Sequence, residues 1–428
     1  MNFTIPTMIM MVFLSLYTII DGVFVSRFVG QNALSSVNIT LPLMTLTWGI
    51  GIMFATGGSA IVAKKFGEGK GLEAKQNFTL IVIFSTIVGI LLTILELLFL
   101  GPILRVLGAT DTLYSYCYEY AFTLTLFTPF AIIKSLFDYF MVTANNPKLG
   151  LINSIIGGVT NIILDYVFIV VLKMGIAGAA LATGIGMVIP AIIGLIYFLN
   201  KKNYLHFEKP ALDWSVIGLG ASNGSSEMIT NLSSGVTTLI FNLMMLKYLG
   251  EDGVAAMTIV LYAQFLLVSV YLGFASGSAP LISYSYGEQN KDELKRLIRY
   301  SNRFIIASSA IVFILSLMLA PFIVKIFADE SANVYQMTLD GFYLFSLSFL
   351  TTGFNIFASS MFTAFSNGKI SVLISIMRTL IFIIIGVSIL PIFLGVNGIW
   401  LTVPFAEILT IIFSILLTKK YSERYHYA

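Results

Sequence analysis

Apolar runs of roughly bilayer length, separated by short polar stretches, fill almost the whole chain from about Phe3 onward. Some ~20 consecutive apolar residues cross a bilayer as one helix. The runs predict twelve membrane-spanning helices, over 3–27, 37–62, 77–101, 117–142, 148–172, 175–199, 215–246, 253–283, 300–325, 336–365, 369–393 and 396–418. The longest include turns beyond the hydrocarbon. This count puts 17 basic residues on one side, among them Lys64, Lys65, Lys201, Lys202, Arg296, Lys419 and Lys420. Only Arg27, Arg105, Lys173, Lys247 and Lys325 fall on the other, and Lys134 and Arg378 lie within spans. Positive residues stay cytoplasmic, so both termini are expected inside. Eleven or thirteen spans would scramble the asymmetry.

The pattern also repeats. Gly30 to Gln76 aligns without a gap on Gly250 to Arg296, an offset of 220 residues. Phe54-Ala55-Thr56-Gly57 pairs with Phe274-Ala275-Ser276-Gly277, and Gly67-Glu68 with Gly287-Glu288. Later, Gly175-Ile-Ala-Gly178 pairs with Gly395-Val-Asn-Gly398. Six spans is an even number, so both halves begin on the same side. They are parallel repeats, related by a pseudo-two-fold axis along the membrane normal. The expected organisation is an amino lobe over 1–199, a charged cytoplasmic linker over 200–214, a carboxy lobe over 215–418 and a cytoplasmic tail over 419–428.

Composition narrows the class. The chain is 57% hydrophobic and 11% charged, against roughly 25% charged in soluble domains. It is an all-α integral membrane protein. The net charge of +3 gives no reason to expect a nucleic-acid partner. The single Cys117 excludes an internal disulfide and a cysteine metal site. His206 and His426 fall in the linker and the tail, which removes a histidine relay within the membrane. No cleavable leader is expected, because the first span begins almost at once.

Against this background the in-span polar residues matter. A carboxylate at membrane depth costs about 2.5–3.5 kcal/mol on the insertion scale, so it marks function by default. Asp21 interrupts the first span and Asp165 the fifth. Asn161 and Asp165 are four apart and share one helix face. Lys134 and Asp138, also four apart, make an intrahelical ion pair, or else Asp138 faces a cavity. Arg378 and Glu407 are potential partners that the sequence alone does not pair. Glu227 follows a polar stretch from Ser222, and a helix starting there would hold it near its N-terminus, where negative charge is favoured. Glu96 falls near the outer end of the third span and is expected to reach the interface. The 35 Phe and 17 Met pack cores, face lipid, or line an adaptable cavity.

The order Leu16-Tyr17-Thr18-Ile19-Ile20-Asp21-Gly22-Val23-Phe24-Val25, then Gly30, Ala33-Leu34 and Pro42, resembles the first repeat of multidrug and toxic compound extrusion (MATE) transporters. So do Asn161-Ile-Ile-Leu-Asp165 and the following Gly175-Ile-Ala-Gly-Ala-Ala-Leu-Ala-Thr183. The Tyr-Thr-Ile-Ile-Asp-Gly wording and Asn146-Pro147-Lys148 look nearest to the Gram-positive MepA-like branch. That branch commonly carries an Arg-Asn-Asp-Gly-type stretch before Asn-Pro-Lys, where this chain has Val142-Thr143-Ala144-Asn145.

The resemblance implies the MATE fold and a cation site at Asp21, Asn161, Asp165 and Thr183, for H⁺ or Na⁺. Some relatives have acids in helices 7 and 10, and this chain offers Glu227 and Asn355. Asp138, Glu227 and Asn355 are the candidates for meeting substrate.

The expected function is a cation-coupled multidrug antiporter exporting bulky, mostly cationic amphiphiles by alternating access. It is expected to act as a monomer in a bacterial plasma membrane, with no cofactor beyond the coupling ion. The nearest alternative is a lipid-linked saccharide flippase of the same superfamily. Such flippases typically carry more basic residues in the central cavity, whereas here the in-span acids outweigh the bases. No nucleophile motif, metal-ligand spacing or Walker-type loop supports an enzyme or an ATP-driven pump.

Overall fold

The structure is a computed structural model and describes residues 2–327 and 333–427. Met1 of the expected amino lobe, Ala428 of the expected tail and the short 328–332 stretch lie outside the described residues. Helices make up the rest, joined by short turns. α1 is Thr4–Phe24, prolonged by a π-helical turn, Val25–Val29. α2 is Gln31–Gly67 and α3 is Gly71–Val106. α4 comprises Asp111–Thr125 and Thr128–Thr143, bent by 54°. α5 is Pro147–Asp165, prolonged by the π segment Tyr166–Val171, and α6 is Gly175–Leu199.

The continuous helical stretch Trp214–Gly287 is 74 residues long, about 111 Å at ~1.5 Å per residue. No bilayer accommodates that length as one span. Gly250 (φ 70°, ψ −156°) breaks it into α7 (214–249) and α8 (251–287). α9 is Lys291–Phe327. α10 comprises Asn333–Ser346 and Phe349–Ala364, bent by 52°. α11 runs Gly368–Leu394 through the π segment Met377–Ile381, and α12 is Thr402–Tyr425. Among the described residues nine helices qualify as spans by length and composition alone, or eleven with each bent pair taken as one. Separating the two arms at Gly250 brings the rods to twelve.

The duplication seen in the sequence recurs in the backbone. Positive-φ residues fall in register in the two halves: Gly30 with Gly250, Gly69 with Gln289, Asn145 with Ser366, and Gly175 with Gly395. The bends of α4 and α10 match as well. Each lobe has its own core. Phe78, Phe137, Phe140 and Phe198 pack in the first, and Phe342, Phe345, Phe362 and Trp400 in the second.

Where the lobes meet, glycines let backbones touch. A Cβ at Gly67 would lie 2.0 Å from the Tyr284 carbonyl oxygen, and one at Gly287 would lie 2.2 Å from that of Lys64. Lys64 and Tyr284 are themselves repeat equivalents, so the contact is reciprocal, as a two-fold interface requires. Gly57 approaches Gly220 and Gly224 of α7, and its equivalent Gly277 approaches Thr4 and Thr7 of α1.

The connection over 200–213 is folded back on the amino lobe. Leu205 is buried, Phe207 stacks on Phe78 with centroids 5.0 Å apart, and Thr79 Oγ1 accepts from the Glu208 amide at 3.0 Å. Asp213 then caps α7. It accepts from the Ser215 hydroxyl and amide, and these bonds hold its carboxyl below the usual carboxylate range.

Candidate functional site

Three π-helical segments interrupt the otherwise regular spans, and each lies beside an in-span charge. Such segments are rare and occur often at functional sites. Val25–Val29 follows Asp21 by one turn, Tyr166–Val171 begins immediately after Asp165, and Met377–Ile381 contains Arg378.

In the amino lobe the structure brings the four sequence-predicted site residues together. Asp165 is fully buried and Asn161 nearly so. The Asp21 and Asp165 carboxyls lie within electrostatic reach of each other. Neither Asp165 oxygen, nor Oδ1 of Asp21, receives a hydrogen bond from the described residues. Asn161 Nδ2 donates to Thr183 Oγ1 at 3.4 Å, leaving Asn161 Oδ1 without a donor. Close helix approaches set this geometry. A Cβ at Gly186 of α6 would lie 3.1 Å from the Asn161 Cβ, and Gly158 of α5 sits against Phe13 and Tyr17 of α1. Two carboxyls this close, one of them fully buried, do not both stay ionised without a positive partner. The set is therefore a cluster of hard oxygen acceptors that accommodates a proton or an oxygen-preferring cation.

Tyr120 of α4, which the sequence reading missed, is buried within electrostatic reach of both acids. Periodicity gives no hint of it, because Tyr120 lies in an aromatic-rich helix whose other rings face elsewhere.

Asp138 is bound rather than open. Lys134 Nζ lies 2.6 Å from its Oδ2, and Ser154 Oγ donates to its Oδ1 at 3.3 Å. The pair is buried, with Tyr17 lying electrostatically between it and Asp21. In the carboxy lobe, Arg378 Nε donates to Glu407 Oε1 at 2.8 Å, and Asn355 Nδ2 to Glu407 Oε2 at 2.7 Å. Asn355 is fully buried in this network. Glu227 lies in the interior of α7, well past the start at Trp214, so a helix N-terminus does not explain it. It interacts electrostatically with Arg378, and with Tyr139 of the other lobe. Tyr139 in turn accepts from Ser276 Oγ of α8 at 3.4 Å.

The expectation that Glu96 reaches the interface is overturned. It is 4% exposed, with Oε1 accepting from Thr47 Oγ1 at 2.8 Å. α3 continues ten residues past it to Val106, about 15 Å of further helix, so the glutamate sits too deep to snorkel.

With this geometry in place, relatives can be compared. The MatE family profile matches residues 6–167 and again 228–388, one match in each half. A protein named multidrug export protein MepA from Staphylococcus saprophyticus is 24% identical over 414 residues, covering 94% of this chain and 87% of that one. Its namesake from Staphylococcus haemolyticus is 26% identical over 373 residues, covering 82% and 79%. A MATE crystal structure in complex with MaL6 superposes with a TM-score of 0.94 at 21% identity, covering 99% of this chain and 96% of that one. An outward-facing multidrug resistance MATE family transporter of the MOP superfamily gives 0.94 at 22% identity, covering 99% and 95%. Two family matches in tandem, one per lobe, together spanning most of the residues, establish that the chain belongs to the MatE family.

Proposed function

We propose that the protein is a cation-coupled multidrug antiporter of the cell membrane, exporting bulky cationic amphiphiles as a monomer with both termini cytoplasmic. The observation that carries this reading is the pair Asp21–Asp165, two carboxyls within electrostatic reach of each other, of which Asp165 is fully buried and receives no donor. Two neighbouring carboxylates are stable to burial only when a cation offsets their charge. Filling and emptying are therefore coupled to which face is closed. Asn161 and Thr183 supply the neutral oxygens, and Tyr120 closes the side toward α4. With the site filled, α1 can pack against α5 without a buried net charge. With it empty, the carboxyls need water or a cationic partner. Coupling requires only that ion and drug prefer different states. One charge moving down ~150 mV releases about 3.5 kcal/mol, enough for a ~10²–10³-fold concentration ratio.

Two acids suffice for a proton site, which favours H⁺ modestly over Na⁺. The names of the MepA relatives support drug export. A lipid-linked saccharide flippase is less favoured, because both in-span bases, Lys134 and Arg378, are held by buried acids and do not offer a free basic wall for pyrophosphate. The test is ethidium efflux from vesicles under pH and sodium gradients imposed separately. Efflux driven by one gradient names the ion, and efflux driven by neither rejects the reading.

A further inference from the structure

The amino lobe holds another buried acid, one helix removed from the Asp21–Asp165 pair and linked to neither member. Glu96 of α3 sits where α4 bends. Thr47 of α2 donates to its Oε1 at 2.8 Å. Thr125 and Thr128, which flank the bend, lie beside the same carboxyl. All four residues are at least nine-tenths buried. Glu96 Oε2 and Thr125 Oγ1 both lack a hydrogen-bond partner among the described residues. α3 is held against the bend from two sides. Thr93 Oγ1 donates to the Thr125 carbonyl at 3.3 Å, and a Cβ at Gly89 would lie 3.0 Å from the Pro129 Cα.

No lysine, arginine or histidine among the described residues pairs with Glu96, and α2 and α4 present it with hydroxyls only. The nearest titratable groups on α4 are engaged elsewhere: Cys117 Sγ donates to the Ser36 carbonyl, and Tyr120 faces Asp21 and Asp165. A buried acid without a cationic partner is held more easily neutral than charged. A proton on Oε2 removes the buried charge that no cation offsets.

The bend itself does not need an acid. α10 bends by 52°, nearly the same as α4, yet at the repeat offset of 220 the position of Glu96 is taken by Ser316, whose hydroxyl donates to the Phe313 carbonyl. Thr47 has Leu267 as its counterpart. The carboxyl and the Thr47 hydroxyl have no counterpart in the carboxy lobe, whereas Thr125 corresponds to Ser346.

We propose that Glu96, cradled by Thr47, Thr125 and Thr128, is a proton-binding site separate from the Asp21–Asp165 pair and built into the bend of α4. It ties proton occupancy to the joint between the upper half of α4, which carries Tyr120, and the lower half, which carries Lys134 and Asp138. The inference stands whether or not the antiport reading does.

The test is infrared spectroscopy of the purified full chain in lipid nanodiscs. At pH 7 the C=O stretch of a protonated carboxyl should lose one component in Glu96→Gln and keep that component in the Asp21→Asn/Asp165→Asn variant. Gln reproduces the donor and acceptor of the protonated acid, so folding should be retained. A spectrum unchanged by Glu96→Gln overturns the proposal, and so does a component that sodium ions remove, since sodium would then be the occupant. Thr125→Val gives an independent arm. Loss of a hydroxyl beside the carboxyl, which favours the ionised form, should move the pH at which the component disappears upward, and a midpoint that is lowered or unmoved also overturns the assignment.

Discussion

The two lobes share a backbone plan but treat their most deeply buried acids in opposite ways. In the carboxy lobe Glu407 is held on both oxygens, by Arg378 and by Asn355. In the amino lobe Asp165 is as deeply buried and receives nothing from the described residues. The difference extends to positions related by the repeat. Across α4–α5 and α10–α11 the offset is 221, so Lys134 and Asp138 of α4 correspond to Asn355 and Ser359 of α10, and Ser154 of α5 to Ser375 of α11. The same α4–α5 contact is an ion pair braced by a serine in one lobe and a net of serine hydroxyls in the other. Duplication therefore preserved the geometry while charge was redistributed. A satisfied charge locks its helices, whereas an unsatisfied pair stays responsive to an added cation.

The comparison breaks most sharply at the acid pair. Asp21→Asn and Asp165→Asn should each lower cation-driven ethidium efflux at least ~10-fold, whereas Glu407→Gln should leave the dependence on the driving cation in place. Undiminished efflux in both aspartate variants would remove the asymmetry between the lobes. Next in size is stability. Arg378→Met strands Glu407 inside the carboxy lobe and should cost about 3–5 kcal/mol, and adding Glu407→Leu should recover most of it. Denaturant unfolding in detergent reads both, and a double variant no better than the single would show that the pair does not act as a unit. Smaller are the inter-lobe glycines. Gly67→Ala and Gly287→Ala should each cost about 1–3 kcal/mol by forcing backbones apart, and by nearly equal amounts if the interface is two-fold. Unequal losses in thermal unfolding would refute that equivalence. The smallest effect is expected at Thr183→Val. If Na⁺ is the ion, its apparent affinity should weaken a few-fold in sodium-dependent efflux, and an unchanged dependence would make Thr183 a packing residue.

The duplication and the order of the spans were readable because hydropathy and glycine spacing are local properties of the chain. Gly30 and Gly250 could be paired from sequence, and both prove to be helix breaks. The bends near Leu126 and Leu347 were not, since neither Gly nor Pro occupies the turn itself, although Pro129 follows the first. The cluster of Asp21, Asn161, Asp165 and Thr183 was legible only through resemblance. Spacing alone joins Asn161 to Asp165, and the other two arrive from separate helices. Glu96 was misplaced because distance from a span end was taken for depth, and α3 runs further than its hydropathic stretch. The Arg378–Glu407 pair could not be read at all, because contacts across three helices leave no periodic trace in the chain.

The reciprocal approach of Gly67 and Gly287 has a mechanical corollary. Two rods whose main chains touch at one end, with no side chains between them to compress, form a pivot that turns with little sliding. α2 is 37 residues long, a lever of about 55 Å. An angular swing of ~10° about that fulcrum would carry the far tips through an arc of roughly 10 Å while the near ends scarcely shift. Large travel at one mouth thus needs no breakage of packing at the other.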